Sequence, residues 1–267
     1  TATTSSAGTE LWKSNGTSTG TELVKDIYTG SNSSSLNSLT AVNSTLYFVA
    51  NNSTNGNELW KSDGTSTGTV LVKDIYSGTT GSSPERLTEM GNTLYFAATT
   101  SSNGTELWKS NGTSTGTVLV KDIVSGTSGS SPWYLTAIGS TLYFKATTSS
   151  HGNELWKSNG TDSGTVLVKD IYSGTNGSFA SNFTVVNNST LFFTADNGTD
   201  GTELWKSDGT TTGTVQVKDI RTSGSSDPTF LIAVGNTLFF TANTSTEGRE
   251  LWKSDGTTTG TVLVKDI

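Results

Sequence analysis

Cysteine is absent from this 267-residue chain, and histidine and methionine occur once each. Without thiols there is no disulfide framework and no zinc–thiolate site. With His151 alone, Ser/His, Cys/His and His–metal chemistries have almost no material to draw on. Positive charge is scarce as well. The 16 Lys and Arg are outnumbered by 23 Asp and Glu, leaving a net charge of −7. That balance argues against nucleic acid or an anionic membrane as partner, since both are held by basic patches. No apolar run approaches the ~20 residues a spanning helix requires, so no membrane insertion is expected. The chain opens at Thr1 and its sole methionine is Met90, which reads as a processed chain or a piece of something longer with no targeting segment left. Hydrophobic residues make up only 31%, yet 7 Trp, 7 Tyr and 10 Phe recur at regular places. A disordered chain is poor in aromatics, so this one is expected to fold.

What is present is a repeat. The phrase Glu-Leu-Trp-Lys-Ser-(Asp/Asn)-Gly-Thr occurs six times, followed each time by Gly-Thr and Val-Lys-Asp-Ile. Its tryptophans are Trp12, Trp60, Trp108, Trp156, Trp205 and Trp252, at intervals of 48, 48, 48, 49 and 47 residues. Each unit is too small to bury its own apolar face and must stack on its neighbours.

One unit runs from Ile75 to Ile123. It contains four short segments rich in aromatic and β-branched residues: Arg86–Met90, Thr93–Ala98, Glu106–Ser110 and Thr117–Ile123. Each is bounded by Gly, Asn or Asp, and no room remains for a useful helix. Four antiparallel strands in about 48 residues describe one blade of a β-propeller. The Leu-Tyr-Phe and Glu-Leu-Trp segments put large side chains on both strand faces, as a sheet sandwiched between two neighbours requires. The expected fold is therefore an all-β propeller, with a β-solenoid as the alternative.

The Ser-(Asp/Asn)-Gly-Thr-x-x-Gly-Thr stretch is expected to form the hairpin between third and fourth strands, with Asp or Asn bonding to backbone N–H groups and Gly taking positive φ. It partly resembles the Asp-box hairpin of sialidase-type propellers, although the Asp–Gly spacing is shorter and no Trp follows. That box is a structural turn, so the resemblance implies fold and not catalysis. The whole phrase, as in Glu58-Leu59-Trp60-Lys61-Ser62-Asp63-Gly64-Thr65 and Val72-Lys73-Asp74-Ile75, is similar to the tandem ELWKSDGT-type repeats of large bacterial surface proteins. This likeness covers essentially the whole chain and implies a propeller-like structure without naming an activity.

Six Trp modules stand against five Leu-(Tyr/Phe)-Phe modules, centred at Tyr47, Tyr95, Tyr143, Phe192 and Phe239. The chain opens just after the place where such a strand is expected, since Thr1–Ser6 matches Lys145–Ser150. The expected division is a half blade over 1–27 and full blades over 28–75, 76–123, 124–171, 172–220 and 221–267. An incomplete blade leaves unpaired edges and apolar faces, so self-association or completion by adjoining repeats of a longer chain is expected.

Residues present in every blade are expected to serve packing. The six Trp are assigned to the core, the Lys-Asp pairs such as Lys25-Asp26 and Lys73-Asp74 to a charged outer edge, and Glu10, Glu58, Glu106, Glu154, Glu203 and Glu250 to pairing with neighbouring lysines. Residues found once are candidates for function. Trp133, Tyr134 and His151 are singled out for ligand binding, with Phe179, Phe183, Arg86, Arg221 and Arg249 also lacking counterparts. No cofactor is required; calcium is the one metal with suitable oxygen ligands, and Asp196, Asn197 and Asp200 form the densest candidate site. Numerous Asn-x-Ser/Thr sequons lie in expected surface turns, among them Asn15, Asn111 and Asn159, where glycosylation is sterically allowed. No converging catalytic set is visible, so no enzyme is expected. The expected function is that of a non-catalytic, secreted or cell-surface scaffold, adhesion module or filament subunit. The alternative is a multivalent lectin with one shallow glycan site per blade.

Overall fold

The computed structural model describes residues 1–266, which contain 23 β-strands and no helix. They fall into two compact units, Thr1–Ser131 and Pro132–Ile267.

The first unit holds three antiparallel sheets. One is three-stranded: β1 (Ala2–Thr4), β2 (Gly8–Lys13) and β3 (Glu22–Lys25). The next comprises β4 (Asn37–Val42), β5 (Thr45–Asn52), β6 (Gly56–Ser62) and β7 (Val70–Lys73). The third comprises β8 (Glu85–Met90), β9 (Thr93–Thr100), β10 (Gly104–Ser110) and β11 (Val118–Lys121). The second unit holds three four-stranded sheets. These are β12 (Trp133–Ile138) to β15 (Val166–Lys169) by way of β13 (Thr141–Thr148) and β14 (Gly152–Ser158); β16 (Ser181–Val186), β17 (Thr190–Asp196), β18 (Thr202–Ser207) and β19 (Val215–Lys218); and β20 (Thr229–Val234), β21 (Thr237–Asn243), β22 (Arg249–Ser254) and β23 (Val262–Lys265).

In every sheet, strands pair with their chain neighbours as hairpins, and all paired strands are antiparallel. Among the described residues no strand forms a ladder with its counterpart one repeat later, which a solenoid would need. The opening sheet is more complete than the two strands expected of a half blade. Ala2↔Glu10 repeats the pairing Ala146↔Glu154, so β1 is the tail of a second strand.

The two-faced strands sort their side chains as the stacking demands. Between the second and third sheets, Tyr47, Leu59 and Val72 meet Leu94, Phe96, Ala98 and Trp108. In the second unit, Phe192, Leu204 and Val217 meet Leu238, Phe240, Ala242 and Trp252 in the same way. Alternate residues of one strand thus face the preceding and the following sheet. Phe48, Phe96, Phe144, Phe193 and Phe240 are among the largest fully buried side chains, each contributing about 2 kcal/mol of apolar burial. Within each unit the strands of adjacent sheets approach most closely at the first of the four: β4 beside β8, β12 beside β16 and β16 beside β20. The sheets therefore converge at their first strands and splay toward their fourth, a propeller-like arrangement.

Candidate functional site at the first-strand bulges

The residues repeated in every sheet are engaged in locking one sheet to the next. Five of the six glutamates serve the backbone of a loop and not the lysines expected as their partners. Glu10, Glu58, Glu106, Glu154 and Glu203 are fully buried and accept hydrogen bonds from the loop that leads to the following sheet. Glu106 accepts from Val124 N at 3.0 Å, Ser130 N at 2.9 Å and Ser130 Oγ at 2.5 Å; Glu203 accepts from Ile220 N, Ser226 N and Ser226 Oγ. Burial pushes the Glu58, Glu106, Glu154 and Glu203 carboxyls above the usual range, against the opposing effect of those hydrogen bonds, and Glu203 reaches about 7.

The lysines likewise differ from a merely repulsive edge. Lys73 Nζ donates to Thr117 O at 2.9 Å, Lys169 to Thr214 O at 2.8 Å and Lys218 to Thr261 O at 2.9 Å, each acceptor lying in the turn before the last strand of the next sheet. Lys169 and Lys218 also sit over the rings of Trp205 and Trp252, 5.8 Å from each centroid. The Lys of the Glu-Leu-Trp-Lys phrase reaches the following turn: Lys61 Nζ donates to Gly112 O and Lys157 Nζ to Gly209 O, both at 2.8 Å. Five of the six repeat tryptophans are core residues as expected, Trp60, Trp108, Trp156, Trp205 and Trp252 being buried, while Trp12 is half-buried.

Variation concentrates on the first strand. Each of the five complete sheets carries a bulge there, between Asn37 and Thr40, Glu85 and Thr88, Trp133 and Thr136, Ser181 and Thr184, and Thr229 and Ile232. The residue inside each bulge has positive φ: Ser38 (55°), Arg86 (58°), Tyr134 (57°), Asn182 (57°) and Phe230 (55°). Asn tolerates this conformation; Arg, Tyr and Phe are strained in it. Bulges re-aim side chains, and strained backbone that persists is a marker of function. Five different residue types therefore occupy one geometrically special position, on the edge where the sheets converge.

In the second unit two of the three bulge positions are aromatic, Tyr134 and Phe230, and the third is Asn182. Trp133 and Tyr134 share β12, with ring centroids 6.3 Å apart. Tyr134 stacks on Phe183 of the neighbouring sheet at 5.4 Å and 27°, with Lys145 Nζ 5.4 Å from its ring centroid. A cleft of about 440 Å³ follows between β16 and β20, lined by Asn182, Phe183, Thr184, Thr229, Phe230 and Leu231. Phe230 is 81% exposed and Trp133 45%. Phe230, absent from the residues singled out in the sequence, occupies the bulge position of Tyr134 one sheet over from Asn182; aligning the five first strands would have found it.

The other candidates are separate from this strip. His151 belongs to the β13–β14 turn, where its Nδ1 meets Ser150 Oγ at 2.9 Å and its backbone N donates to Thr148 Oγ1; neither bond reaches Trp133 or Tyr134. Asp196, Asn197 and Asp200 organise the β17–β18 turn. Asp196 Oδ1 accepts from Gly198 N, Asn197 Oδ1 from Thr199 N and Asp200 N, and Asn197 Nδ2 donates to Asp200 Oδ2. Among the described residues no group of three or more His, Cys, Asp or Glu is arranged to hold a metal ion. Asn15, Asn111 and Asn159 hold their hairpins: each Oδ1 accepts from the backbone N and Oγ1 of the Thr two residues on, as Asp63 does with Thr65.

The class this arrangement defines is an all-β chain of repeated, propeller-like antiparallel sheets. No protein-family model matches it, and no curated protein matches it in sequence. Solved structures do. Oligopeptidase B from Leishmania major is similar over 94% of this chain and 36% of its own, at 12% identity and a TM-score of 0.55. Puromycin hydrolase matches over 87% and 38%, at 13% identity and a TM-score of 0.52. The computationally designed Ika8 protein matches over 93% and 65%, at 15% identity and a TM-score of 0.49. The chain spans less than two thirds of the length of each, and the likeness to the oligopeptidase and the hydrolase is, at these identities, one of fold alone.

Proposed function

We propose that this chain is a non-catalytic β-propeller repeat protein, with five full blades and an incomplete first one, that works as a scaffold or adhesion module outside the cell or on its surface and extends by self-association. One observation carries the reading: within each unit the same sheet-to-sheet contact repeats, residue for residue. In the β16–β19 sheet, Val186, Leu204 and Val217 are buried by the following sheet, whereas their counterparts Val234, Leu251 and Val264 in the last sheet are 59%, 37% and 44% exposed. On the opening sheet, Trp12 is half-buried and Leu23 exposed, while their counterparts Trp60 and Leu71 pack against a preceding sheet. Such faces suit a further sheet of the same kind, supplied by adjoining repeats of a longer chain or by another copy, in which case Trp12 and Leu23 of one copy would meet Leu251 and Val264 of another, head to tail. Lysines and glutamates that elsewhere bridge sheets are thereby absorbed into architecture, which supports a non-catalytic role.

Sedimentation velocity across a concentration series tests this. The chain is expected to associate, Leu251→Lys and Leu23→Glu are each expected to cap growth, and an equimolar mixture of the two variants is expected to form a 1:1 dimer and nothing longer. A chain that stays monomeric up to its solubility limit overturns the reading.

A further inference from the structure

We propose that Asp200 and Asp219 form an acid-closed latch: with one proton shared between them, they fasten the β17–β18 turn to the loop that leads from the β16–β19 sheet to the β20–β23 sheet. Within the second unit this sheet is packed on both sides, against the β12–β15 sheet and against the β20–β23 sheet. The pair is therefore removed from both end surfaces of the chain.

One turn position carries Asn55, Asn103 and Asp200 in three of the sheets. In the first two, its amide ties the turn to the Asp of the Val-Lys-Asp-Ile run. Asn55 Nδ2 donates to Asp74 Oδ2 at 3.0 Å, and Asn103 Nδ2 donates to Asp122 Oδ2 at 2.9 Å. The β17–β18 turn repeats the β5–β6 turn bond for bond up to this point. Asn52 Oδ1 accepts from Thr54 N and Asn55 N, as Asn197 Oδ1 does from Thr199 N and Asp200 N. Asn52 Nδ2 donates to Asn55 Oδ1, as Asn197 Nδ2 does to Asp200 Oδ2. The other carboxyl oxygen of Asp200 therefore takes the place of the donating nitrogen of Asn55. An ionised carboxylate only accepts hydrogen bonds, whereas a protonated one carries an O–H donor. The bond made by amides in the earlier sheets closes here only with a proton taken from solvent.

Asp219 is the partner left without a donor. Asp26, Asp74, Asp122 and Asp170 each accept at Oδ2, from Gly30 N, Asn55 Nδ2, Asn103 Nδ2 and Gly174 N. Among the described residues nothing donates to Asp219, and its Oδ1 is buried. Burial pushes the Asp219 carboxyl above its ordinary range, and the charge of Asp200 pushes the same way. The surrounding groups do not neutralise the pair. Glu203 is a further acid that feels the charge of Asp219, and Asp196 accepts from Gly198 N. Lys218 Nζ is engaged by Thr261 O and lies over the Trp252 ring, and Arg221 Nη1 donates to Ser225 O. From the preceding sheet, Tyr172 lays its ring against the turn at Gly198. Gln216 of β19 holds Asn197 in place, its Oε1 accepting from Asn197 Nδ2 at 3.1 Å. Asp219 is the root of a loop whose Ile220 N and Ser226 N are held by Glu203, so the latch adds a fastening where that loop leaves its sheet. The folded chain holds the shared proton more tightly than the unfolded chain does. The stability that the latch supplies is accordingly full below the ordinary Asp value of 3.8 and is lost as pH rises through the raised one.

Urea unfolding of the 267-residue chain at about pH 4 and about pH 8 tests the latch. Asp200→Asn installs the amide found at Asn55 and Asn103. It is expected to raise the midpoint by a few tenths of a molar at the higher pH and by less at the lower. Asn103→Asp, the reverse exchange, is expected to lower the midpoint at the higher pH and to recover at the lower. The Asp200→Asn difference is expected to persist in a Glu203→Gln background, where that neighbouring carboxyl no longer titrates. Carbon-13 NMR of the aspartate carboxyls is expected to show Asp219 titrating at lower pH in Asp200→Asn than in the parent. The proposal is overturned if Asp200→Asn fails to raise the midpoint at the higher pH, shifts it equally at both, loses its effect in the Glu203→Gln background, or leaves the Asp219 titration unmoved.

Discussion

The third and the first strand of each sheet answer opposite demands. The third, Glu-Leu-Trp-Lys-Ser, is almost invariant across six repeats, and between sheets stacked in one unit its side chains meet fixed partners: Glu caps a loop, Leu packs against the following sheet, Trp against the preceding one, and Lys bonds a neighbouring turn. The first strand carries a bulge with a different residue in every sheet, and the exposure there rises to that of Phe230. Repetition thus separates architecture from variation within one chain. The residues that announce the repeat bear load between sheets, and the residues that break it occupy the strained edge.

The sharpest way to break this comparison is to remove a buried third-strand acid. Glu106→Ala would leave the buried Ser130 N and Oγ and the part-buried Val124 N without their acceptor. The expected loss is about 3–5 kcal/mol in urea unfolding, whereas Glu106→Gln, which keeps an acceptor in place, is expected to lose about 1–2 kcal/mol. An alanine variant as stable as the parent would show that the loop does not depend on its carboxylate.

The second test uses pH. In the folded chain burial raises the Glu203 carboxyl to about 7 from an ordinary 4.5. A raised acid pKa means that the folded state holds its proton more tightly than the unfolded state does. The contribution to stability is therefore fully present below about pH 4.5 and is lost as pH rises through about 7, after which it levels off. The loss from Glu203 is at most about 3 kcal/mol. Glu58, Glu106 and Glu154 shift in the same direction and add to the slope. Denaturant midpoints measured from pH 5 to 8 are expected to fall, and Glu203→Gln is expected to flatten the curve. A midpoint that rises over that window would mean that hydrogen bonding to the carboxylate outweighs its burial.

Much of the fold was legible because its signals are local. Strand pairs are hairpins, turns carry Asn-Gly or Asp-Gly, and Leu-Tyr-Phe alternates between two buried faces, so segments could be placed within a few residues of where they lie. The roles of Glu106 and Lys73 were not legible, because their partners Ser130 and Thr117 are 24 and 44 residues downstream and belong to contacts between sheets. Nothing in the composition of a Lys-Asp pair distinguishes a charged edge from a clamp on the next sheet. The first-strand site was half legible. Trp133 and Tyr134 stood out as unusual residues, but the bulge that gives Tyr134 its positive φ lies in the register with β13 and has no sequence signature such as Gly. His151 stood out equally, being unique, yet its bonds stay within its own turn.

The smallest expected effect is also the most discriminating, because its sign is unusual. Phe230 holds φ at 55° with its ring largely in solvent. Replacing it with glycine removes the steric penalty of that conformation and forfeits little packing. Phe230→Gly is accordingly expected to stabilise the chain by about 1 kcal/mol in urea unfolding. Glycine in place of Leu107, a fully buried residue of the third strand, would instead cost several kcal/mol, on the order of 3–5. Stabilisation by Phe230→Gly would mark the bulge as a place where the chain gives up stability to present a side chain. Destabilisation would mean that Phe230 is held by packing after all, and the contrast between the two strands would lose its main support.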